Sequence, residues 1–185
     1  MGQLQLSLAS SDFELFGVPQ RFVQERAALD ARWKELQREA HPDRFAAQGA
    51  AAQRLAMQWS VRINEAYQRL KDPLKRAAYL CELAGAPVNA QSNTAMPAQF
   101  LMQQMQWRET LDDATSLTDI DAVQAEVHSA RAQLLAQCCD LLDAQGDATR
   151  AVACVRALMF IERFAADLEH RSEQLESGPH AAAGR

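Results

Sequence analysis

Two runs of helical period are separated by a proline, and that break constrains the fold more than any other feature of the chain. Leu29, Trp33 and Leu36 recur at four and three across residues 23–40, and Leu55, Trp59, Ile63, Ala66 and Leu70 recur in the same way further on. At 100° per residue each set falls on one stripe, so each run predicts an amphipathic helix with one buried face. Pro42 ends the first run. It disfavours helical geometry at His41 and has no N–H to return to the preceding turn. The chain therefore turns at "REAHPDRF", residues 38–45, passes Gly49 and enters the second helix, which ends near Asp72-Pro73.

The remaining sequence is also helical in period, with no convincing strand. Residues 13–16, "FELF", read as one turn closed by Gly17 and Pro19, and residues 74–84 as a short apolar helix that Gly85 can close. After a small, polar stretch, Pro97 suits the first turn of a helix to about residue 114. Thr118-x-x-Asp121 resembles a capping box, and Ile120, Val123, Val127, Ala130, Leu134, Cys138 and Leu141 follow at threes and fours. Gly146 and Asp147 supply a stop and an N-cap for a last helix over about 148–175. Short connections between three long helices predict an up-down-up bundle. The expected fold is all-α. Its expected divisions are a tail at 1–11, a helical-hairpin domain at 12–85, a linker at 86–96, a three-helix bundle at 97–175 and a disordered tail at 176–185.

Charge divides at the same place. The chain has 185 residues, 48% of them hydrophobic, and a net charge of −5. Residues 1–85 carry 12 Lys+Arg against 10 Asp+Glu, a net of +2, while residues 86–185 carry 7 against 14, a net of −7. The acidic second half argues against nucleic acid as the main partner, although a basic helix at 23–40 keeps that reading open. No window reaches the length of a membrane span, since Arg156 interrupts the most apolar one. The first twenty residues lack Lys and Arg, so neither a secretory signal nor a transit peptide is expected. Cys81, Cys138, Cys139 and Cys154 form no CxxC or paired spacing and read as buried free thiols in a reducing cytoplasm. No metal or cofactor site is expected.

His41-Pro42-Asp43 can be read in three ways. As an enzyme's acid/base pair it lacks company: no activated Ser or Cys motif, Gly-rich phosphate loop or metal pattern accompanies it. As punctuation it explains Pro42, and Asp43 can satisfy free amides at the turn, but His41 is left over. As a contact surface it joins a basic face. Lys34 and Arg38 lie four apart, away from the Leu29/Trp33/Leu36 stripe, with Arg32 close by and Arg44 just beyond. That face suits an acidic partner.

The His-Pro-Asp tripeptide after a basic helix, followed by "INEAYQRLKDPLKRAAYL" at 63–80, resembles a J domain. Such domains dock on a DnaK-type heat-shock chaperone and stimulate its ATP hydrolysis. The resemblance implies that His41, Pro42 and Asp43 make the indispensable contact and that Arg32, Lys34 and Arg38 supply electrostatic docking. Ala40 stands where an aromatic often precedes the motif, and Arg44 where lysine is usual.

The first helix of the bundle, "PAQFLMQQMQWRETLDDA", has two apolar faces. With Phe100 at 0°, Trp107, Leu111 and Ala114 lie within about 40° of it. Leu101, Met102 and Met105 centre near about 150°, among Glu109, Asp112 and Asp113. The second face reads either as a contact with the hairpin domain or as a partner site with adaptable methionines. Phe160 lies toward the edge of the Ile161/Phe164/Leu168 stripe, where an antiparallel neighbour could bring it beside Leu101 and Met105. A J domain followed by a short acidic three-helix bundle is similar to the HscB/Jac1-type iron–sulfur co-chaperones. There is no Gly/Phe-rich linker and no CxxCxGxG zinc repeat, as other J proteins have. Carried over residue by residue, the resemblance implies that Leu101, Met102, Met105 and Phe160 bind a cluster-assembly scaffold protein (IscU type), with Glu109 and Asp113 as polar members. Gln106 stands where the family often has Glu. The family brings the loaded scaffold to a specialised chaperone ATPase (HscA type). A general J protein with another client remains open at this point.

Overall fold

Ser11 starts the first helix, α1 (Asp12–Phe16), by a reciprocal capping box. Its hydroxyl accepts the Glu14 N–H at 3.2 Å, and the Glu14 carboxylate accepts the Ser11 N–H at 2.8 Å. The computed structural model describes residues 7–88, 96 and 98–177, and all regular structure among them is helical. Asp12 is fully buried but not isolated. Its carboxylate pairs with Arg62 at 2.7 Å and Arg69 at 3.1 Å, and its N–H donates to the Tyr79 hydroxyl at 3.0 Å. Two cations of α3 answer this one buried carboxylate, and the triad pins α1 onto the helices behind it.

Helices α2 (Arg26–Glu39) and α3 (Ala50–Lys71) form the hairpin, and α4 (Pro73–Leu83) follows after Asp72, which caps it by accepting the Lys75 N–H at 3.0 Å. Helix α2 begins at Arg26, later than the predicted residue 23, and the Phe22 and Val23 amides are instead taken by the Asp143 carboxylate at 2.5 and 2.9 Å. Leu29 and Leu36 are buried as expected. Trp33 is half-buried, stacked on Tyr67 at 4.9 Å and donating to Asn64 at 2.9 Å. On α3 the periodicity expectation fails at Leu55, which is exposed, while Ala56 is buried. Ala56 lies seven residues before Ile63 and stays close to its stripe, whereas Leu55 is turned about 80° away.

The second half is α5 (Ala98–Asp113), α6 (Leu117–Cys139), a π turn at Asp140–Ala144 and α7 (Ala148–Glu176). The cap of α6 is Ser116 with Asp119, not Thr118 with Asp121. Ser116 is extended, its hydroxyl accepts the Asp119 N–H at 3.2 Å, and the pair predicted two residues later lies inside the helix. Hydrogen bonds to Asp119, led by the one with Ser116, hold its carboxyl below the ordinary 3.8. Asp147 caps α7 as predicted, accepting the Arg150 N–H at 3.0 Å. The α6 stripe from Ile120 to Leu141 is buried at every predicted position.

The halves meet where α4 packs on α7. Asp143 reaches from the π turn to the chain before α2, Arg76 lies 5.1 Å over the Phe22 ring, and Arg156 Nε donates to the Val88 carbonyl at 2.8 Å. One hydrophobic core runs through both. Val88, at the start of the expected linker, is buried in it. Residues 1–6, 89–95, 97 and 178–185 lie outside the described residues, and with them the roles expected of Pro97 and most of both tails.

Candidate functional site

The His-Pro-Asp loop caps the far end of the hairpin from α4, and α3 spans about 33 Å between the two at 1.5 Å per residue. Leu36 carbonyl accepts the Ala40 N–H at 2.9 Å, after which His41 is extended (φ −65°, ψ 126°) and Pro42 opens a 3-10 segment, Pro42–Gln48. Four bonds fix the loop. Ser60 Oγ donates to the Ala40 carbonyl at 3.2 Å, and Arg44 reaches back to the Arg38 carbonyl at 3.2 Å. Arg44 N–H donates to the His41 carbonyl at 3.1 Å, and Asp43 N–H donates to His41 Nδ1 at 3.3 Å. An accepting Nδ1 leaves the neutral ring's proton on Nε2. Gly49 leaves the loop at φ 92°, ψ 170°, a region essentially restricted to glycine. The His41 and Asp43 side chains remain 59% and 90% exposed. Beneath the loop is an apolar cavity of about 360 Å³, lined by Leu36, Phe45, Leu55 and Trp59 among others.

Lys34 and Arg38 are exposed on α2 beside the loop. Arg32 differs: it is half-buried, and Glu35 holds it at 2.6 Å. Part of its charge is therefore already answered within the chain.

On the bundle, an aromatic ladder fixes the inner face of α5. Phe100 meets Phe160 edge-on at 5.7 Å, Phe160 stacks on Phe164 at 5.7 Å, and Trp107 stacks on Phe164 at 6.0 Å. Trp107 Nε1 also donates to Glu126 of α6 at 2.9 Å. With that face committed, the opposite one is left to solvent: Leu101 is 37% exposed, Met102 74% and Met105 69%. Glu109 and Asp113 are exposed on the same helix. The α5 face is not used to pack the hairpin.

Residues 96–169 match the family model described as "HSCB C-terminal oligomerisation domain". The co-chaperone protein HscB homolog of Burkholderia mallei (strain SAVP1) is 49% identical over 174 residues, spanning 92% of this chain and 99% of that protein. The chain belongs to the HscB co-chaperone family. The Burkholderia multivorans HscB homolog is 47% identical over 175 residues, spanning 93% of this chain and 99% of its own length. Among solved structures, the chaperone HscB from Vibrio cholerae superposes with a TM-score of 0.78 at 34% identity, over 90% of this chain and 99% of that one. Human co-chaperone protein HscB shares the fold, with a TM-score of 0.84 at 23% identity over 90% of this chain and 84% of its own.

This HscB chain thus has an N-terminal J domain joined to a C-terminal three-helix bundle. Of the residues predicted for its surfaces, His41, Asp43, Lys34 and Arg38 gather at the tip, and Leu101, Met102, Met105, Glu109 and Asp113 on α5. Phe160 stands apart. It is 8% exposed, clamped between the Phe100 and Phe164 rings, with the Arg108 guanidinium 5.3 Å away over its ring. It supports α5 from beneath. Arg108 went unnoticed in the sequence because a single exposed arginine carries no periodic signal. Asp12 was missed too, although Arg62 and Arg69, seven apart on one helix face, could have signalled an acidic partner. Among the described residues, no group of three or more His, Cys, Asp or Glu could hold a metal ion, and no helix is long and apolar enough to cross a membrane.

Proposed function

We propose that this HscB-family chain carries an iron–sulfur scaffold protein of the IscU type to a heat-shock chaperone ATPase of the HscA type, in the cytoplasm, and stimulates ATP hydrolysis there. The observation that carries this reading is the coexistence, on one packed framework, of two exposed surfaces of opposite chemistry. A J domain of residues 12–85 offers His41, Pro42 and Asp43 with Lys34, Arg38 and Arg32 behind them. A bundle of residues 97–175 offers Leu101, Met102 and Met105 within a carboxylate rim of Glu109 and Asp113.

Each surface suits its role physically. Pro42 and the bonds around the loop restrict it before docking, so less entropy is lost at the interface. Asp43 can accept a bidentate, charge-assisted pair from a partner arginine. The chain needs no catalytic group of its own, because phosphoryl-transfer sites respond to small shifts of the groups that position the nucleophile and phosphate. The methionines adapt to an apolar ridge on the client, and the acidic rim selects a client with basic residues around that ridge. Phe160 contributes by holding the α5 helix in place.

The test is the steady-state ATPase of an HscA-type chaperone with this chain, with and without an IscU-type scaffold. Stimulation by the chain alone and further stimulation with scaffold are expected. Stimulation that ignores the scaffold, together with no binding between the two, would indicate a J protein with a different client.

A further inference from the structure

Two carbonyls at the end of α2 have lost the donors that a continued helix would supply. The amide of residue 42 would bond the Arg38 carbonyl, and that of residue 44 the Ala40 carbonyl. Proline has no N–H to give, and the Arg44 N–H goes to the His41 carbonyl at 3.1 Å. Side chains answer both carbonyls instead. The Arg44 guanidinium donates to Arg38 at 3.2 Å, and Ser60 Oγ donates to Ala40 at 3.2 Å.

The two replacements differ in reach. Arg44 belongs to the loop, so its bond ties the loop only to the end of α2. Ser60 stands on the facing helix, α3, and among the described residues its hydroxyl makes the one side-chain hydrogen bond from α3 to residues 40–48. A serine inside a helix commonly bonds back to its own helix or faces water. Here the hydroxyl crosses to the carbonyl of a buried residue. Packing does not make that bond redundant. The apolar cavity of about 360 Å³ beneath the loop is lined by Ala40 and Phe45 on the loop and by Ala56, Trp59 and Ile63 on α3. The loop therefore has room to shift relative to α3.

We propose that Ser60 is a positioning residue for docking on the ATPase, a role that rests on the reading of the His-Pro-Asp loop as the chaperone contact. Its hydroxyl fixes the loop against α3, so that His41 and Asp43 meet the partner already in place. Without the hydroxyl, the loop stays bonded to itself and to α2 but is free to swing as a unit over the cavity. Ordering it again at the interface costs binding free energy.

The experiment compares the full chain with three variants. Ser60→Ala removes the hydroxyl and keeps a strong helix former, so it folds. Ser60→Thr keeps a hydroxyl at the same place. Gln37→Ala is the control: it deletes bonds to the Ser60 carbonyl at 3.1 Å and to Asn64 at 2.8 Å, across the same hairpin, and leaves the loop untouched. Ser60→Ala should raise the concentration for half-maximal stimulation of an HscA-type ATPase by roughly 2- to 10-fold, the effect of one neutral hydrogen bond. The maximal rate and the scaffold affinity should not change. Ser60→Thr should restore the parent value, and Gln37→Ala should lower the denaturation midpoint without moving that concentration. An equal shift in Gln37→Ala, or none in Ser60→Ala, would overturn the proposal.

Solvent exchange of the Asp43 and Arg44 amides, followed by NMR, reads the loop without any partner. It should quicken in Ser60→Ala and not in Gln37→Ala. Failure of the unmodified chain to stimulate the ATPase would remove the chaperone reading, whereas unchanged exchange in Ser60→Ala would overturn the positioning of the loop itself.

Discussion

The tip of the α2–α3 hairpin and the outer face of α5 are both open to solvent, but by opposite means. At the tip, exposure follows from the backbone. Pro42 ends a helix, Gly49 turns the chain, and His41 and Asp43 project because nothing can pack over so short a loop. On α5, exposure follows from competition. Phe100 and Trp107 take the core, and Leu101, Met102 and Met105 are left outside because a helix in a three-helix bundle buries one face. The tip is polar, held by hydrogen bonds and bordered by cations; the α5 face is apolar, adaptable and rimmed by carboxylates. A rigid charged contact suits a partner whose geometry must be altered, while a soft apolar one suits a partner that must be held.

The largest effect expected from breaking this contrast is at the tip. His41→Ala should abolish ATPase stimulation while leaving far-UV circular dichroism and scaffold affinity unchanged, because the side chain serves no packing. Stimulation preserved in that variant would mean that the loop is only a turn.

Next in size is Phe160, where the distinction between holding and supporting can be sharpened. Phe160→Ala should cost about 3–5 kcal/mol of unfolding free energy, as truncating a buried aromatic does, and denaturant titration measures it. Leu101→Ser with Met105→Ser should leave the denaturation midpoint near that of the parent, yet weaken scaffold binding by about 2–4 kcal/mol, or roughly 30- to 1000-fold. If the double variant unfolds early instead, the α5 face is part of the core. Calorimetric titration with the scaffold checks the affinity.

The basic face should give the smallest effect. Lys34→Ala and Arg38→Ala are each expected to weaken docking on the ATPase by about 0.5–1 kcal/mol, an amount that shrinks with added salt. Arg32→Ala should do less than either, since Glu35 already holds it. Salt titration of the stimulation curve separates these cations from the apolar face, whose binding should be far less salt-sensitive.

Much of this was legible beforehand because it rests on local rules. Pro42, Asp72-Pro73, Gly85 and Asp147 marked where helices end or begin, and the two-faced wheel of α5 exposed Leu101, Met102 and Met105 correctly. Phe160 was not legible in the same way. Its stripe position was ambiguous, and only the side-by-side placement of α5 and α7 put the Phe100 and Phe164 rings against it. Leu55 misled because it sits at one edge of a stripe about 80° wide, and the buried face of α3 is centred toward the other edge, where Ala56 lies. The Asp143 link to Phe22 and Val23, 120 residues away, leaves no local trace, although it sets where α2 begins.

The central claim is that both surfaces must act from one chain. The most direct measurement mixes equal amounts of His41→Ala and the Leu101→Ser/Met105→Ser double variant at limiting concentration, with scaffold and an HscA-type ATPase present. The prediction is that the scaffold-dependent increase in ATP hydrolysis is absent from the mixture and present with the same amount of unmodified chain. Recovery of the full increase by the mixture would show that scaffold holding and ATPase docking need no shared framework, and would contradict it.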